Sequence, residues 1–139
     1  MSNTIQLRGD FERYEEVVAE GQSIVPGMLV EDVAAGITAV ASDKVVEKAF
    51  AIENALAGGD ISDAIAAGNV VQMNIQKPGN MVQAWIVNGS TATVAKNTLL
   101  SPSTTAGVLA ASGDNPIAVL AEATDCVENV ARRCVVRVL

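Results

Sequence analysis

The stretch VVQMNIQKPGNMVQAWIV (Val70–Val87) constrains the fold more than any other part of the chain. Apolar and polar residues alternate on both sides of a Lys-Pro-Gly-Asn sequence. A period of two is typical of β-strands, whose successive side chains point to opposite faces, and Pro-Gly is a turn signal. The stretch therefore predicts a β-hairpin with Val82, Ala84 and Ile86 on a core face. Trp85 is on the opposite, mixed face, and we expect it to pack inside the domain because large aromatic side chains usually do.

Short apolar runs separated by turn residues continue through most of the chain. Pro-Gly, Asn-Gly, Gly-Gly and Gly-Asp dipeptides stand between them. Near the C-terminus, Arg133, Val135 and Arg137 alternate with apolar neighbours, which is typical of an edge strand. The runs that complete the set are Gly27–Glu31, Ile37–Ala41, Val46–Glu53, Gly107–Ala111 and Ile117–Thr124. About eight short strands at this spacing predict a mostly-β fold, either a small barrel or a tulip-like sandwich.

Two segments compete as helices. Ile61–Ala67 is short and ends at a Gly-Asn turn signal, and Asp43–Ala57 is rich in alanine and glutamate. Alanine and glutamate favour helices, although the apolar run Val46–Glu53 inside the second segment also fits a strand. The sequence leaves this choice open, so we expect at most one or two short helices beside the strands.

The composition limits the kinds of partner. With 139 residues the chain fits one domain, and 50% of its residues are apolar while only 3% are aromatic. A mean hydropathy of +0.32 predicts apolar surface that is hidden in an oligomer, and we take a homotrimer as the hypothesis. The net charge of -7 argues against binding to nucleic acid or to an anionic membrane, since both attract basic surfaces.

No stretch resembles a targeting or membrane segment. MSNTIQLRGD lacks the apolar core of a secretory signal. The longest uncharged run, Pro78–Ala95, is interrupted by Gly, Asn, Gln, Ser and Thr and is too polar to span a bilayer. We therefore expect the chain to be made in a cytoplasm and to be used or assembled there.

The residues that common catalytic sites need are missing or badly spaced. The chain has no histidine, which is the usual general base. The acidic pairs are Glu15-Glu16, Glu31-Asp32, and Asp60 with Asp63. Adjacent residues on a strand point to opposite faces, so the carboxylates of the first two pairs are not expected to converge. Asp60 and Asp63 follow a Gly-Gly turn, where aspartate often caps the backbone. Because no calcium loop and no phosphate-binding glycine motif is present either, the sequence predicts neither an enzyme nor a metal or cofactor site.

The cysteines do not suggest redox or metal chemistry. Cys126 and Cys134 are the only two, and they do not form a Cys-x-x-Cys pair. We expect both to be partly buried thiols, because a cysteine outside a disulfide behaves as a small apolar residue.

Ser42-Asp43-Lys44, placed between apolar runs, resembles the hairpin tip of lipoyl carrier domains, where the lysine is modified. In that family a second half-motif follows closely, whereas SPSTTAGVL (Ser101–Leu109) comes far downstream here. The likeness is therefore limited to three residues. A cytoplasmic lipoyl-like carrier, or a small binding module with Lys44 as the modified residue, is the alternative function.

The order of motifs along most of the chain carries a second resemblance. The segments are IVPGMLVE (Ile24–Glu31), KAFAIEN (Lys48–Asn54), GGDISDAIAAGNVVQMNIQKPGNMVQAWI (Gly58–Ile86), LLSPSTTAGVLAA (Leu99–Ala111), and PIAVLAEATD with the terminal strand (Pro116–Leu139). Each motif alone is common, but together they resemble the small head-decoration, or cement, proteins of tailed bacteriophages.

That resemblance implies a compact β-barrel preceded by a charged N-terminal segment. It also implies a structural protein that binds the major capsid protein as a homotrimer on the outer surface of the virion and stabilises the expanded shell. An acidic surface suits a shell exterior better than an interior that faces DNA. We divide the chain accordingly into an N-terminal arm, residues 1–16, and a single β-barrel domain, residues 17–139.

The arm, MSNTIQLRGDFERYEE, mixes both charge signs with apolar residues at a spacing that fits neither a helix nor a strand. We expect it to be loosely held in the free protein and to lie along the shell or a neighbouring subunit, anchored by its aromatic residues. The predicted capsid- or subunit-binding residues are Ile5, Leu7, Arg8, Phe11, Arg13 and Tyr14.

Overall fold

The computed structural model describes residues 4–53, 61–88, 92–111, 113–126 and 129–139, and these residues form strands and turns without a helix. The strands are β1 (Gln6–Arg8), β2 (Phe11–Val17), β3 (Ser23–Ile24), β4 (Leu29–Val33), β5 (Gly36–Ala39), β6 (Ala49–Ala51), β7 (Ile65–Ala66), β8 (Val70–Gln76), β9 (Met81–Val87), β10 (Ala92–Val94), β11 (Leu99–Pro102), β12 (Leu109–Ala110), β13 (Ala118–Leu120), β14 (Thr124–Cys126) and β15 (Arg132–Val138). The mostly-β fold predicted from the alternating pattern is confirmed. The strands outnumber the expected set because many of them are only two or three residues long.

One sheet closes on itself and forms the first barrel. Its strands run in the order β9-β12-β11-β13-β15, and β15 pairs back onto β9 from Arg132 to Arg137. Neighbouring strands are antiparallel except for β12 and β9, which are parallel. Strand β1 lies on the same side of β9 as β12. A sheet closed in this way has few free edges that another chain can pair with.

The other large sheet forms a second barrel that is less completely closed. Its antiparallel strands run in the order β2-β8-β6-β4-β5. Its outer strands meet where Val18 bridges Ile37, and there the Ala19 N–H donates to the Ile37 carbonyl at 3.0 Å. The short β3–β7 pair adds Ile24 and Ile65 to the apolar interior of this barrel.

Strands β4 and β6 of the second barrel also pack against the first core, and we call these two strands the shared wall. Leu29 and Phe50 belong to the first core, whereas Val30 and Ala49, their neighbours in sequence, belong to the second. Successive residues of a strand point to opposite faces, so β4 and β6 are buried on both sides. The two barrels are therefore packed as one unit.

The predicted hairpin around Pro78-Gly79 is wrong in its pairing, although both of its strands are present. Strand β8 pairs with β2 and β6, whereas β9 pairs with β1, β12 and β15, so the turn carries the chain from one barrel to the other. Alternation fixes which side chains share a face but does not fix the partner strand. The polar face of β8 is buried as well, where Gln6 Oε1 accepts hydrogen bonds from Asn74 Nδ2 at 3.1 Å and Gln76 Nε2 at 2.6 Å.

Neither candidate helix is present in the described residues. Strand β6 occupies part of Asp43–Ala57, of which residues 54–57 lie outside the described ranges, and strand β7 lies within Ile61–Ala67. Helix propensity is a weak preference, and here the burial of β6 between two cores outweighs it. The predicted core face of β9 is correct, because Val82, Ala84 and Ile86 are all buried in the first core.

The N-terminal segment is held in both barrels. Within residues 1–16, β1 pairs with β9, and β2 pairs along its whole length with β8. The sheets therefore do not follow the predicted division at residue 17, and the loosely held arm is replaced by paired strands. Both faces of β2 are largely exposed, so its sequence does not alternate in polarity and does not look like a strand. Contact of this segment with a shell stays a prediction.

Candidate functional site

The predicted contact residues lie on two strands or just before them, and they do not share one surface. Strand β1 belongs to the sheet of the first barrel and β2 to that of the second. Along β2, Phe11 and Arg13 share one face while Tyr14 lies on the other, because side chains alternate along a strand. The structure therefore does not gather these residues into a single binding site.

Ile5 is part of the core and cannot be a contact residue in the folded chain. Its side chain is fully buried in the first core, and its N–H donates to Glu53 Oε2 at 3.1 Å. Leu7 is half-buried and lines a groove of about 440 Å³ beside Arg132 and Cys134. Sequence reasoning misplaced Ile5 because an apolar residue in a charged segment looks the same whether it anchors a partner or the chain's own core.

Three other predicted residues are accessible. Arg8 and Arg13 are exposed, and Phe11 is half-buried. The Arg13 guanidinium carbon lies 5.7 Å from the centroid of the Phe11 ring, within the range of a cation–π contact. Arg8 lies opposite Met81 in the β1–β9 pair. Their role in binding a capsid or a subunit stays a prediction.

Tyr14 belongs to a groove of about 450 Å³ at the second barrel, which we call the mouth groove. It is lined by Tyr14, Val30, Glu31, Asp32, Val45, Val46, Glu47, Ala49, Met73 and Ile75. Val30, Ala49 and Met73 are buried members of the second core and the half-buried Ile75 packs against it, so the groove lies over the edge of that core. Val45 is the most exposed large apolar residue among the described ones.

Carboxylates give the rim of the mouth groove its charge. The Tyr14 hydroxyl donates to Asp32 Oδ2 at 2.8 Å. This hydrogen bond, and then the negative charge of Asp32, raises the pKa of Tyr14 above its ordinary value, because both favour the protonated phenol. Glu31 Oε1 accepts from Lys44 Nζ at 2.9 Å. An acidic rim over an apolar floor can hold a side chain that is apolar and carries a positive charge at its end.

Lys44 does not lie at the tip of a hairpin. The strands before and after it, β5 and β6, each pair with β4 rather than with one another. Asp43 Oδ2 accepts from the Asp114 N–H at 2.5 Å and Asp43 Oδ1 from Asn115 Nδ2 at 3.1 Å, and these bonds lower the pKa of Asp43. The hydrogen bonds of Asp43 and the ion pair of Lys44 thus tie this bend to the body of the protein.

Three exposed valines form a strip across the second barrel, which we call the valine strip. Val17 and Val70 are directly opposite on β2 and β8, and Val33 is opposite Gly36 on β4 and β5. Gly36 in turn lies against the Val17 carbonyl oxygen, which would be only 2.5 Å from an added Cβ. The exposed fractions of Val17, Val33 and Val70 are 40%, 41% and 46%. Adjoining exposed apolar residues often mark a protein contact, and nothing in the sequence distinguished these valines from those of the core.

Trp85 lies outside both cores, so the predicted interior position is wrong. The side chain is half-buried, and its Nε1–H donates to the Pro26 carbonyl at 3.0 Å. The Arg133 guanidinium carbon lies 4.7 Å from the ring centroid. Small aliphatic residues fill the barrel interior, and the indole instead covers the outer face of β9, where its N–H finds a partner.

The acidic pairs do not form a metal site in the described part of the chain. No group of three or more Cys, Asp and Glu side chains that could hold a metal ion is found there, and Asp60 lies outside the described residues. Cys134 is buried in the first core, and its Sγ–H donates to Thr124 Oγ1 at 3.7 Å, in line with the predicted partly buried thiol. The side chain of Cys126 lies outside what the structure describes.

Comparison with known proteins does not assign the chain to a family. No protein-family model and no curated protein matches it. The described residues contain no helix with the length and hydropathy that a membrane-spanning helix needs. The candidate surfaces are therefore interpreted from their own geometry, together with the resemblance in motif order.

Proposed function

We propose that the chain is a decoration protein of a tailed-bacteriophage head, which binds the outer surface of the expanded shell as a homotrimer and stabilises it. Its partner is the major capsid protein, and its place is the outer surface of the virion. The resemblance in motif order supplies the class of protein. The valine strip is the observation that carries the proposal, because it is an apolar surface on a rigid sheet that no described part of the chain covers.

A rigid apolar strip suits a protein that works by adhesion. Val17 and Val70 are held opposite one another by the β2–β8 pairing, so binding does not have to order a loop first. Ordering of loops and side chains consumes part of the interaction energy of any interface. A preformed surface therefore binds more tightly for the same area, and many copies of it reinforce a shell. We assign the valine strip to the contact with the shell protein.

Co-sedimentation with expanded heads tests this function. The heads to use are assembled from the major capsid protein encoded in the same genome as this chain. We expect the wild-type chain to pellet with expanded heads at a fixed number of copies per shell and to raise the temperature at which the heads break open. A chain that stays in the supernatant at micromolar concentration would overturn the proposal.

Val70→Glu tests the assignment of the valine strip, with Val130→Glu as the matched control. Both valines are exposed, at 46% and 53%, and each variant adds one negative charge, but Val130 lies outside the strip. We expect Val70→Glu to weaken shell binding at least about tenfold, because it places a charge in an apolar contact, while Val130→Glu binds as the wild type does. Equal binding by both variants would contradict the assignment of the strip.

Light scattering separates the shell contact from the subunit contact. If Val70→Glu remains a trimer and loses shell binding, the valine strip faces the shell as proposed. If the variant dissociates into monomers, the strip is the trimer interface and its assignment to the shell is wrong. A wild-type chain that is a monomer both free and on the shell would remove the trimer from the proposal.

A further inference from the structure

Three cations meet in a groove on the outer face of the first barrel. The groove has a volume of about 280 Å³, and Arg8, Lys96 and Arg137 line it together with Met81 and Val119. All three cations are exposed. No carboxylate lines the groove, although the chain has 16 acidic and 9 basic residues. In a chain with this excess of acid, a groove whose charged lining residues are all cations is a distinct feature of the surface.

The strand register places the two arginines in one row. Arg8 is opposite Met81 in the β1–β9 pair, and Met81 is opposite Arg137 in the β9–β15 pair. In the regular β9–β15 pair directly opposite residues share a face, and the neighbours of Arg137 in sequence, Val136 and Val138, point into the first core. The β1–β9 register shifts between Gln6 and Arg8, and the groove that Arg8 and Arg137 both line places Arg8 on the same side. The row therefore faces outward. Two strand spacings of about 4.8 Å separate Arg8 from Arg137, a distance that two guanidinium groups can span to reach one carboxylate or two adjacent ones.

Lys96 is brought to the same groove by a turn that is fixed to the barrel. The Asn97 N–H donates to the Leu120 carbonyl at 2.8 Å, and the Leu120 N–H donates to the Thr98 carbonyl at 3.0 Å. Asn97 itself has a φ of 69°, in the left-handed region that asparagine tolerates better than most residues. The backbone that carries Lys96 is therefore positioned before any ligand binds.

The cations have no ion-pair partner in the described residues. Lys44–Glu31 is the salt bridge found there, and Arg8, Lys96 and Arg137 take part in none. Like charges that line one groove repel each other, so an arrangement of this kind is improved by a bound anion. Beside the row, Val119 is opposite Leu99, which is 53% exposed and adds an apolar surface next to the charges.

We propose that this groove binds a protein segment in which carboxylate side chains alternate with apolar ones. The arginines pair with the carboxylates, and the apolar side chains contact Met81 and Leu99. The net charge of -7 repels nucleic acid and an anionic lipid surface, which carry many charges, more strongly than a segment with a few carboxylates. The apolar surface beside the arginines favours a peptide over a simple anion. The site goes beyond the proposed capsid function and does not depend on it.

Nuclear magnetic resonance with the isotope-labelled full chain tests the groove. The probe is a short peptide of alternating glutamate and leucine, blocked at both ends, and the comparison peptide carries glutamine in place of glutamate. We expect the glutamate peptide to shift the arginine Nε–H signals of Arg8 and Arg137 and the amides of β1, β15 and the Lys96 turn. Equal shifts with the glutamine peptide would overturn the proposal. So would inorganic phosphate binding with the same or higher affinity, which would make the groove a general anion site.

Arg8→Gln and Arg137→Gln locate the binding, with Lys44→Gln as a control of equal charge change outside the groove. Exposed ion pairs are weak, so each arginine variant should lower the affinity for the glutamate peptide about two- to fivefold. The double variant should lower it about tenfold. The control should bind as the wild type does. If Lys44→Gln lowers the affinity as much as the arginine variants do, binding depends only on net charge and the groove is not the site. If a variant does not fold, Lys96→Gln on the turn provides the same comparison.

Discussion

The two barrels differ in how they close, and the difference separates stability from recognition. In the first barrel, β15 and β9 pair continuously from Arg132 to Arg137, so the sheet has hydrogen bonds all the way round. In the second, β2 and β5 meet at a single bridge from Val18 to Ile37. The second barrel has the mouth groove over the edge of its core and the exposed valine strip beside its closure.

The shared wall couples the stability of the two barrels. Because β4 and β6 contribute to both cores, the second barrel cannot open fully without exposing part of the first. The closed barrel thus serves as a rigid base, and the second presents surfaces on that base.

Phe50→Ala should have the largest effect, since Phe50 projects from the second sheet into the first core. Its side chain is fully buried, and loss of a buried phenylalanine costs about 3–5 kcal/mol of unfolding free energy. Urea unfolding followed by circular dichroism and by the fluorescence of the single tryptophan measures this cost. We expect the two signals to change together, because the shared wall couples the barrels.

Val130→Ala is the control for this measurement. Val130 is 53% exposed, so its truncation should change the unfolding free energy by less than about 0.5 kcal/mol. If Phe50→Ala separates the fluorescence and circular dichroism transitions, the barrels unfold independently and the shared wall does not couple them.

Gly36→Ala should open the closure of the second barrel. Gly36 has a φ of 120°, and an added Cβ would lie 2.5 Å from the Val17 carbonyl oxygen. The backbone conformation alone costs an alanine about 1–3 kcal/mol, and the clash adds to it. We expect lower stability together with faster hydrogen exchange at the Ala19 N–H, which donates across the closure, while amides of β15 stay protected.

Gly68→Ala isolates the contribution of the clash. Gly68 also has a positive φ, of 84°, but an added Cβ there would have no neighbour within 4 Å. This variant should therefore lose only the backbone part of the stability. Equal losses in the two variants would mean that the closure at Gly36 contributes nothing beyond backbone strain.

Sequence reasoning predicted the strands better than their partners. The alternation in Val70–Val87 identified β8 and β9 and the buried face of β9. A strand that buries one face has apolar residues at every second position, and the sequence shows this directly. It failed on the pairing, since the turn at Pro78-Gly79 can join strands of one sheet or of two. It also failed on β2, whose mixed charges reflect exposure on both faces rather than a lack of structure.

The candidate surfaces could be predicted only in part. Tyr14 was predicted as an aromatic anchor in a charged segment, and it lines the mouth groove, while its contact with a partner stays a prediction. Its partner Asp32 is distant in sequence, and only the register of β2 and β4 around the barrel brings the two together. The row of Arg8, Met81 and Arg137 likewise depends on strand pairing, which no local pattern encodes.

The smallest effect concerns Tyr14, the only tyrosine in the chain, whose ionisation can therefore be followed directly by ultraviolet absorbance. Its hydroxyl donates to Asp32, so the pKa should lie above the ordinary value of 10.0. Asp32→Asn should lower that pKa towards the ordinary value, because it removes the negative charge that opposes the phenolate. A raised pKa in the folded state stabilises the protein fully below pH 10.0, and the contribution disappears as the pH rises through the folded pKa. As the pH rises from 10.0 through the folded-state pKa of Tyr14, the wild type should thus lose slightly more unfolding free energy than Tyr14→Phe does. An ordinary pKa in the wild type, unchanged by Asp32→Asn, would show that the mouth groove is open enough for water to replace this contact.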